Sequence, residues 1–219
     1  MTPNWPSNPF STRFVAPGQL NFVGLDDQAL DDLAEKLIQQ NGNGQIVGPH
    51  GTGKTTLTFE LQKRIDRLND KNANYRFVRK TIGPRRTIRI GKRVAGFNDG
   101  DEQVFRQTQT PHSKTILVLD GIELLSWLQR LALIKTCLRK QIGLLVTSHR
   151  SIWGLPVLAS TQPDRSQLEA IVHQLARDCD FEISADRLEE LYTNNNGNIR
   201  EALMSCYDEF EASRAKTDC

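Results

Sequence analysis

Eight consecutive residues of this chain have the types and spacing that bind phosphate groups. They match the pattern G-x-x-x-x-G-K-[ST] and are Gly48, Pro49, His50, Gly51, Thr52, Gly53, Lys54 and Thr55. Glycines let the backbone curl so that consecutive N–H groups point at the phosphates, a conformation that side chains would obstruct. Lys54 is expected to reach the β- and γ-phosphates, and Thr55 to hold Mg²⁺. The sequence therefore predicts a nucleoside triphosphate site in this phosphate loop, with Thr56 beside it.

The segments on either side of the phosphate loop have the patterns that its chemistry requires. Before it, the short run Gln45 to Val47 is typical of a strand. After it, apolar residues recur at helical spacing, namely Leu57, Leu61, Ile65 and Leu68. The N-terminus of that helix, with its partial positive charge, is expected to lie beneath the phosphates.

A second apolar run, Thr115 to Asp120, is typical of a central parallel strand and ends in an acid. Asp120 is expected to order Mg²⁺ through water. Alternatively, its carboxylate caps the helix that follows. Glu123 is a candidate catalytic base, or else a solvated residue in the first turn of that helix.

A third apolar run, Ile142 to Val146, is followed by Thr147, Ser148, His149 and Arg150. If this strand lies beside the phosphate loop, Thr147 or Ser148 could align the attacking water, and His149 could contact the γ-phosphate. Alternatively, these are ordinary loop residues at a strand end. Arg150 is a candidate for stabilising the transition state in a neighbouring subunit.

The patterns along the whole chain predict an α/β fold, because strands alternating with helices imply a parallel sheet with right-handed crossovers. Residues 1–24 contain four prolines and predict an extended arm, residues 25–163 the α/β nucleotide-binding domain, and residues 164–219 a three-helix lid. The arm offers three aromatic residues for packing against the main domain, Phe10, Phe14 and Phe22. The lid helices are predicted to begin at Ser166, Ser184 and Asn198.

Within the α/β domain, the apolar patterns predict further elements. A helix is expected over Asp26 to Gln40, and strands are expected over Tyr75 to Lys80, Thr87 to Val94 and Pro156 to Ser160. Gly83 and Pro84 mark a turn. A helix after Asp120 is expected to carry Leu124, Leu128, Leu131 and Leu138. Residues 97–113 are polar and indicate no more than a short helix near residues 102–107.

Chain length, apolar runs and cysteine spacing limit the kinds of protein that this chain could be. The chain has 219 residues, enough for one sizeable core and a small appended domain. Its apolar runs are too short to span a bilayer, and its N-terminus lacks a secretory pattern, so a cytoplasmic location is expected. The four cysteines show no C-x-x-C spacing and predict neither zinc nor disulfides: Cys137, Cys179, Cys206 and Cys219.

Charge is segregated along the chain. Residues 71–98, the basic segment, contain nine lysines and arginines and no acid, whereas the whole chain has 28 basic and 26 acidic residues. Segregation favours an anionic partner, either an acidic protein or a nucleic acid. A solvated surface is the alternative.

Four segments of this chain together resemble the motifs of AAA+ ATPases. They are the phosphate loop, Ile116 to Asp120, Leu145 to Ser148 and Asn196 to Leu203. The resemblance implies ATP and Mg²⁺ as cofactors and a possible homo-oligomer. It also implies that Arg200 senses the γ-phosphate from the lid, and that Thr147 or Ser148 is the polar sensor on the sheet. The acidic motif departs from the family, because Gly121 and Ile122 separate Asp120 from Glu123.

Three functions follow as hypotheses. The first is an ATPase in which Mg-ATP binding and hydrolysis drive lid motion or partner engagement. The second is a nucleotide-gated switch that binds a partner and does not hydrolyse ATP, which the displaced Glu123 favours. The third is a small-molecule kinase whose basic segment holds an anionic acceptor.

Overall fold

The computed structural model describes residues 7–69, 74–82, 88–90, 93–96, 113–179 and 181–217. The α-helices are α1 (Thr12–Val15), α2 (Asp27–Gln39), α3 (Lys54–Asn69), α4 (Trp127–Arg139), α5 (Arg165–Ala176), α6 (Ala185–Asn194) and α7 (Ile199–Thr217). The strands are β1 (Gly44–Val47), β2 (Asn74–Thr81), β3 (Ile88–Ile90), β4 (Arg93–Gly96), β5 (Ser113–Asp120), β6 (Gly143–Ser148) and β7 (Val157–Ser160). A 3₁₀ turn covers Ile122–Leu124.

Five of the strands form one parallel sheet in the order β2-β5-β6-β1-β7. Strands β5 and β6 are buried almost throughout, as expected for parallel strands covered on both faces. In register, Asp120 at the end of β5 lies opposite Thr147 on β6. Ser148, the last residue of β6, lies opposite Val47 at the end of β1. The predicted α/β fold with a parallel sheet flanked by helices is confirmed.

Two predicted elements differ in the structure. The single strand predicted over Thr87 to Val94 is instead two short antiparallel strands, β3 and β4. The sequence places Gly91 between them, a residue that weakens a strand interior. The predicted turn at Gly83 and Pro84, most of residues 97–113, and Cys219 lie outside the described residues.

The helix predicted around four leucines starts later than predicted, and none of those four leucines is buried. Ser126 begins α4 with a capping box: its hydroxyl accepts from the Gln129 N–H, and its own N–H donates to the Gln129 side chain. Leu124 therefore lies in the preceding 3₁₀ turn. The residues that α4 buries are Leu133, Ile134, Thr136 and Cys137, whereas Leu128 and Leu138 are exposed.

The three predicted C-terminal helices are present as α5, α6 and α7, and they share a hydrophobic core. Asp164 and Ser184 cap α5 and α6 by accepting backbone N–H bonds. The N-terminal segment joins this core through Phe10, which is fully buried and packs edge-on against Phe181 and Phe210. The segment is not wholly extended, because it contains the short helix α1.

The chain divides into two compact units. The first comprises Met1–Asp26, Pro49–Leu57 and Thr161–Cys219, and the second comprises Asp27–Gly48 and Thr58–Ser160. The domain boundaries given by the sequence stay a prediction. Cys137 in the second unit and Cys206 in the first are free and buried, and burial raises the pKa of each thiol to about 12.

A buried glutamine on β1 forms hydrogen bonds to the loop that precedes β7. The Gln45 side chain is fully buried, and its amide donates to the carbonyl oxygens of Ile152 and Leu155 at 2.9 and 2.6 Å. Its own oxygen accepts from the Ile152 N–H at 2.7 Å. These bonds satisfy backbone groups that the sheet ladder leaves unpaired, so they fix the strand that leads into the phosphate loop.

Replacing Gln45 with leucine is expected to lower the free energy of unfolding by about 3 kcal/mol, because buried backbone groups lose their partners. Chemical denaturation measures the change. The matched control is Gln39→Leu, an exposed position where the change should stay within about 0.5 kcal/mol. Equal stability of the two variants would contradict this role for Gln45.

Candidate nucleotide-binding site

The phosphate loop has the strand, loop and helix context that its motif requires. Strand β1 ends at Val47, and the N–H of Gly48 donates to the Ser148 carbonyl at 3.1 Å. Helix α3 begins at Lys54, and the Leu57 N–H donates to the Gly53 carbonyl at 2.8 Å. The first N–H groups of α3 are therefore those of the loop itself, an arrangement suited to anions.

Within the first unit, side chains of the loop bond to its own backbone. The Thr52 hydroxyl is buried, donates to the Pro49 carbonyl at 3.0 Å and lies 2.7 Å from the Thr161 hydroxyl. The Lys54 ammonium donates to the same Pro49 carbonyl. Pro49 and His50 are exposed, whereas Thr55 and Thr56 lie half-buried in the first turn of α3. These bonds curl the loop around the Pro49 carbonyl.

The loop also lies against the start of α7. Gly51 has a φ of 71°, and a Cβ there would lie 1.8 Å from Asn198 Oδ1. Asn198 caps α7, because its side-chain oxygen accepts from the N–H groups of Arg200 and Glu201 at 3.1 and 3.3 Å. Only glycine fits at position 51, because the loop lies directly against Asn198. Asn198 precedes Arg200 by two positions.

Within the second unit, the pairing of β5 with β6 brings Asp120 and Thr147 together. The Thr147 hydroxyl donates to Asp120 Oδ1. Ser148 is buried, and its hydroxyl makes no hydrogen bond among the residues that the structure describes. Buried hydroxyls are normally paired, so this one has bonding capacity for a group that the described residues do not supply.

The displacement of Glu123 from Asp120 has a backbone cause. Gly121 follows Asp120 with a φ of 84°, and a Cβ there would lie 2.9 Å from the Ile82 carbonyl oxygen. A glutamate cannot occupy that position without strain, because the conformation favours glycine. The 3₁₀ turn then buries Ile122 and leaves Glu123 exposed.

His149 lies between Glu123 and the first residue of the phosphate loop. Its Nε2 is 2.9 Å from Glu123 Oε1, and its Nδ1 is 3.2 Å from the Gly48 carbonyl oxygen. Both neighbouring atoms are acceptors, so both contacts are hydrogen bonds only when each ring nitrogen carries a proton. The backbone carbonyl of Glu123 also accepts from the Arg130 guanidinium at 3.0 Å.

Each unit therefore holds a part of the predicted site. The first contains the loop from Pro49 onward and Arg200, which is exposed in the first turn of α7. The second contains Gly48 and the polar ends of β5 and β6, with Arg150 exposed after β6. Sequence reasoning missed the contact of Thr161 with Thr52, and it assigned Asn198 only to a helix start.

Three solved structures give fold-level comparisons. A chain in a structure of Drosophila ORC bound to DNA is 16% identical, with a TM-score of 0.61 over 93% of this chain. Cdc6p from Pyrobaculum aerophilum is 17% identical, with a TM-score of 0.60 over 97%. Domain III of the Thermotoga maritima replication initiation protein DnaA is 11% identical, with a TM-score of 0.53 over 90%. No family model matches the chain, and no curated protein matches its sequence.

The sheet order and the phosphate loop define an α/β P-loop NTPase fold. More specifically, the fold is that of the AAA+ ATPases, as the resemblance in the sequence implied. The chain spans 58% of the Drosophila chain, 67% of the Pyrobaculum chain and 88% of the Thermotoga domain. No helix in the described part of the chain is long and apolar enough to cross a bilayer.

The close approach of Gly51 to Asn198 predicts a specific mutational pattern. Gly51→Ala should destabilise the nucleotide-free protein by at least about 1 kcal/mol more than Gly154→Ala, measured by chemical denaturation. Gly154 is the matched control: its φ is 91°, but an added Cβ would lie 3.5 Å from Ile134, which is ordinary contact.

Asn198→Gly removes the obstructing side chain, and glycine is a tolerable N-cap that costs only a few tenths of a kcal/mol. In that background, most of the excess penalty of Gly51→Ala should disappear. An unchanged penalty in both backgrounds would contradict the contact.

Proposed function

We propose that the protein binds ATP through its phosphate loop and hydrolyses it, coupling the nucleotide state to the C-terminal helices or to a partner. The observation that supports the proposal best is the curled loop at the start of α3, with Lys54 in the first helical turn. In this proposal, Lys54 leaves the Pro49 carbonyl to bind the β- and γ-phosphates. Glycine N–H groups and the helix dipole supply the remaining attraction.

The residues available for Mg²⁺ suit a hard cation, which prefers oxygen ligands. We propose that Thr55 supplies a hydroxyl and that Asp120 acts through water. The bond from the Thr147 hydroxyl supports this role, because it orients the Asp120 carboxylate. When bound, Mg²⁺ would neutralise charge that develops on the phosphate oxygens.

For hydrolysis, we propose that Glu123 accepts a proton from the water that attacks the γ-phosphate. The unpaired Ser148 hydroxyl would orient that water, and Arg200 would bind the γ-phosphate. Contact between Gly51 and Asn198 then gives a route by which a change in the loop reaches α7. In this scheme Glu123 must separate from His149 before it can act as a base.

One observation favours the non-hydrolysing switch. Glu123 lies three residues after Asp120 because Gly121 is required at the turn, and its carboxylate contacts His149. A carboxylate that stays bonded to His149 is a poor base, so binding without turnover is the second candidate function.

Two substitutions separate these functions. Lys54→Ala is expected to weaken ATP binding at least about tenfold, because a charge-assisted contact to the phosphates is lost. Glu123→Gln is expected to keep ATP affinity within about threefold and to lower turnover at least about 100-fold, because the general base is lost. Calorimetry measures binding, and phosphate release measures turnover.

Glu35→Gln, at an exposed position on α2, is the matched control and should change neither quantity. If the wild type and Glu123→Gln both bind ATP and are equally inactive, the ATPase proposal fails and the switch is supported. Unaltered binding by Lys54→Ala would contradict the nucleotide site itself.

We also propose an anionic partner, a nucleic acid or an acidic protein, for the basic segment, and a homo-oligomer in which Arg150 reaches a neighbouring subunit. Arg79 does not contribute to such a surface. It stacks on Phe59 at 3.7 Å and donates to Thr58 and Gln62, and burial lowers its pKa to about 10. A cytoplasmic location remains a prediction of the sequence.

A nucleic-acid partner is favoured by the segregation of charge and by the DNA bound in the Drosophila structure. If the basic segment contacts several phosphates, affinity for duplex DNA should fall steeply with salt, with a logarithmic slope of about 0.9 per contact. Fluorescence anisotropy across salt concentrations measures the slope. A flat response would exclude nucleic acid and leave an acidic protein.

A further inference from the structure

Helix α4 has a broad apolar surface, and only part of it is covered. Its inner face contributes Leu133, Ile134 and Cys137 to the core of the second unit. Its outer face carries apolar residues with large exposed fractions, namely Trp127 (66%), Leu128 (62%) and Leu138 (61%). Ile134 lies seven residues after Trp127 and four before Leu138, so the covered and exposed apolar residues adjoin, and a helix this widely apolar is normally buried all round. The outer face is therefore unusual for a helix at a protein surface.

Together with half-buried Leu131, the exposed residues form one stripe. Trp127, Leu131 and Leu138 are four and seven residues apart, and Leu128 lies three before Leu131. Such spacings place the side chains on one face of a helix. This outer stripe, defined as Trp127, Leu128, Leu131 and Leu138, has the periodicity that a second packed helix requires.

The charged side chains of helix α4 itself all have one sign. Helix α4 contains Arg130, Lys135 and Arg139 and no acidic residue, and its C-cap is Lys140. Lys135 lies seven residues after Leu128, within the stripe, and Arg139 lies four residues further on. Both are exposed. A basic, apolar helix face is complementary to a helix with an apolar stripe and acidic flanks.

We propose that the outer stripe of α4 is a docking surface for an acidic amphipathic helix of a partner protein. Burial of Trp127 and the leucines supplies the affinity, because large apolar side chains dominate such interfaces. Lys135 and Arg139 select acidic partners over basic ones. The docking surface includes none of the phosphate loop residues, and the proposal does not depend on ATP hydrolysis.

A designed peptide tests the proposal with the full chain. The probe is a fluorescein-labelled helical peptide of about 18 residues, with leucines on one face and glutamates elsewhere. Its matched control has lysine in place of every glutamate. Anisotropy titration should show that the glutamate peptide binds at least about tenfold more tightly than the lysine peptide.

Two variants then assign the binding to α4. Leu128→Gln with Leu138→Gln should weaken binding of the glutamate peptide at least about tenfold, whereas Met204→Gln, an exposed apolar position on α7, should not. Lys135→Glu with Arg139→Glu should reverse the preference between the peptides. The control charge reversal, Lys36→Glu with Lys114→Glu at exposed positions, should leave the preference unchanged.

Equal binding of both peptides, or equal binding by the wild type and the Leu128→Gln, Leu138→Gln variant, would overturn the proposal. Sedimentation velocity gives one further outcome. If the wild type self-associates and that variant is monomeric, the stripe joins copies of this chain, and the proposed acidic partner is wrong.

Discussion

The position of the candidate site depends on one short strand held on both edges. Strand β1 has four residues and pairs in parallel with β6 and β7. The Gly48 N–H extends the pairing by one bond beyond the strand, to the Ser148 carbonyl. The first residue of the phosphate loop is thereby fixed beside the polar end of β6. Buried Gln45 secures the other end of the strand, so the loop begins from a rigid base.

A second constraint, at Gly121, explains why the acidic motif differs from the AAA+ pattern that the sequence otherwise resembles. The chain must turn there with a positive φ close to the Ile82 carbonyl, and this excludes a glutamate next to Asp120. Glu123 instead lies three residues after Asp120, on the 3₁₀ turn, where it contacts His149. Glu123 is thus displaced from the position next to Asp120 that the AAA+ pattern suggests. In the proposed function, the balance between hydrolysis and binding alone therefore depends on how readily the contact between Glu123 and His149 opens.

Much of the fold could be predicted from the sequence because its signals are local. A complete phosphate-binding motif, two apolar runs ending in polar residues and three periodic C-terminal helices each depend on neighbouring residues alone. The sequence predicted helix α4 from its leucines but not which residues the helix buries, because the helix is apolar around much of its circumference. The contacts of Asn198 with Gly51 and of His149 with Glu123 join residues far apart in the chain. No pattern within a short window specifies such pairs.

The central claim is that the phosphate loop itself binds the triphosphate. Amide hydrogen exchange with and without saturating Mg-ATP tests it directly, because the loop N–H groups are the expected phosphate donors. The account predicts that exchange of the amides of residues 50–55 slows at least about tenfold on addition of Mg-ATP. Unchanged exchange in this loop, with or without protection elsewhere in the chain, would contradict it.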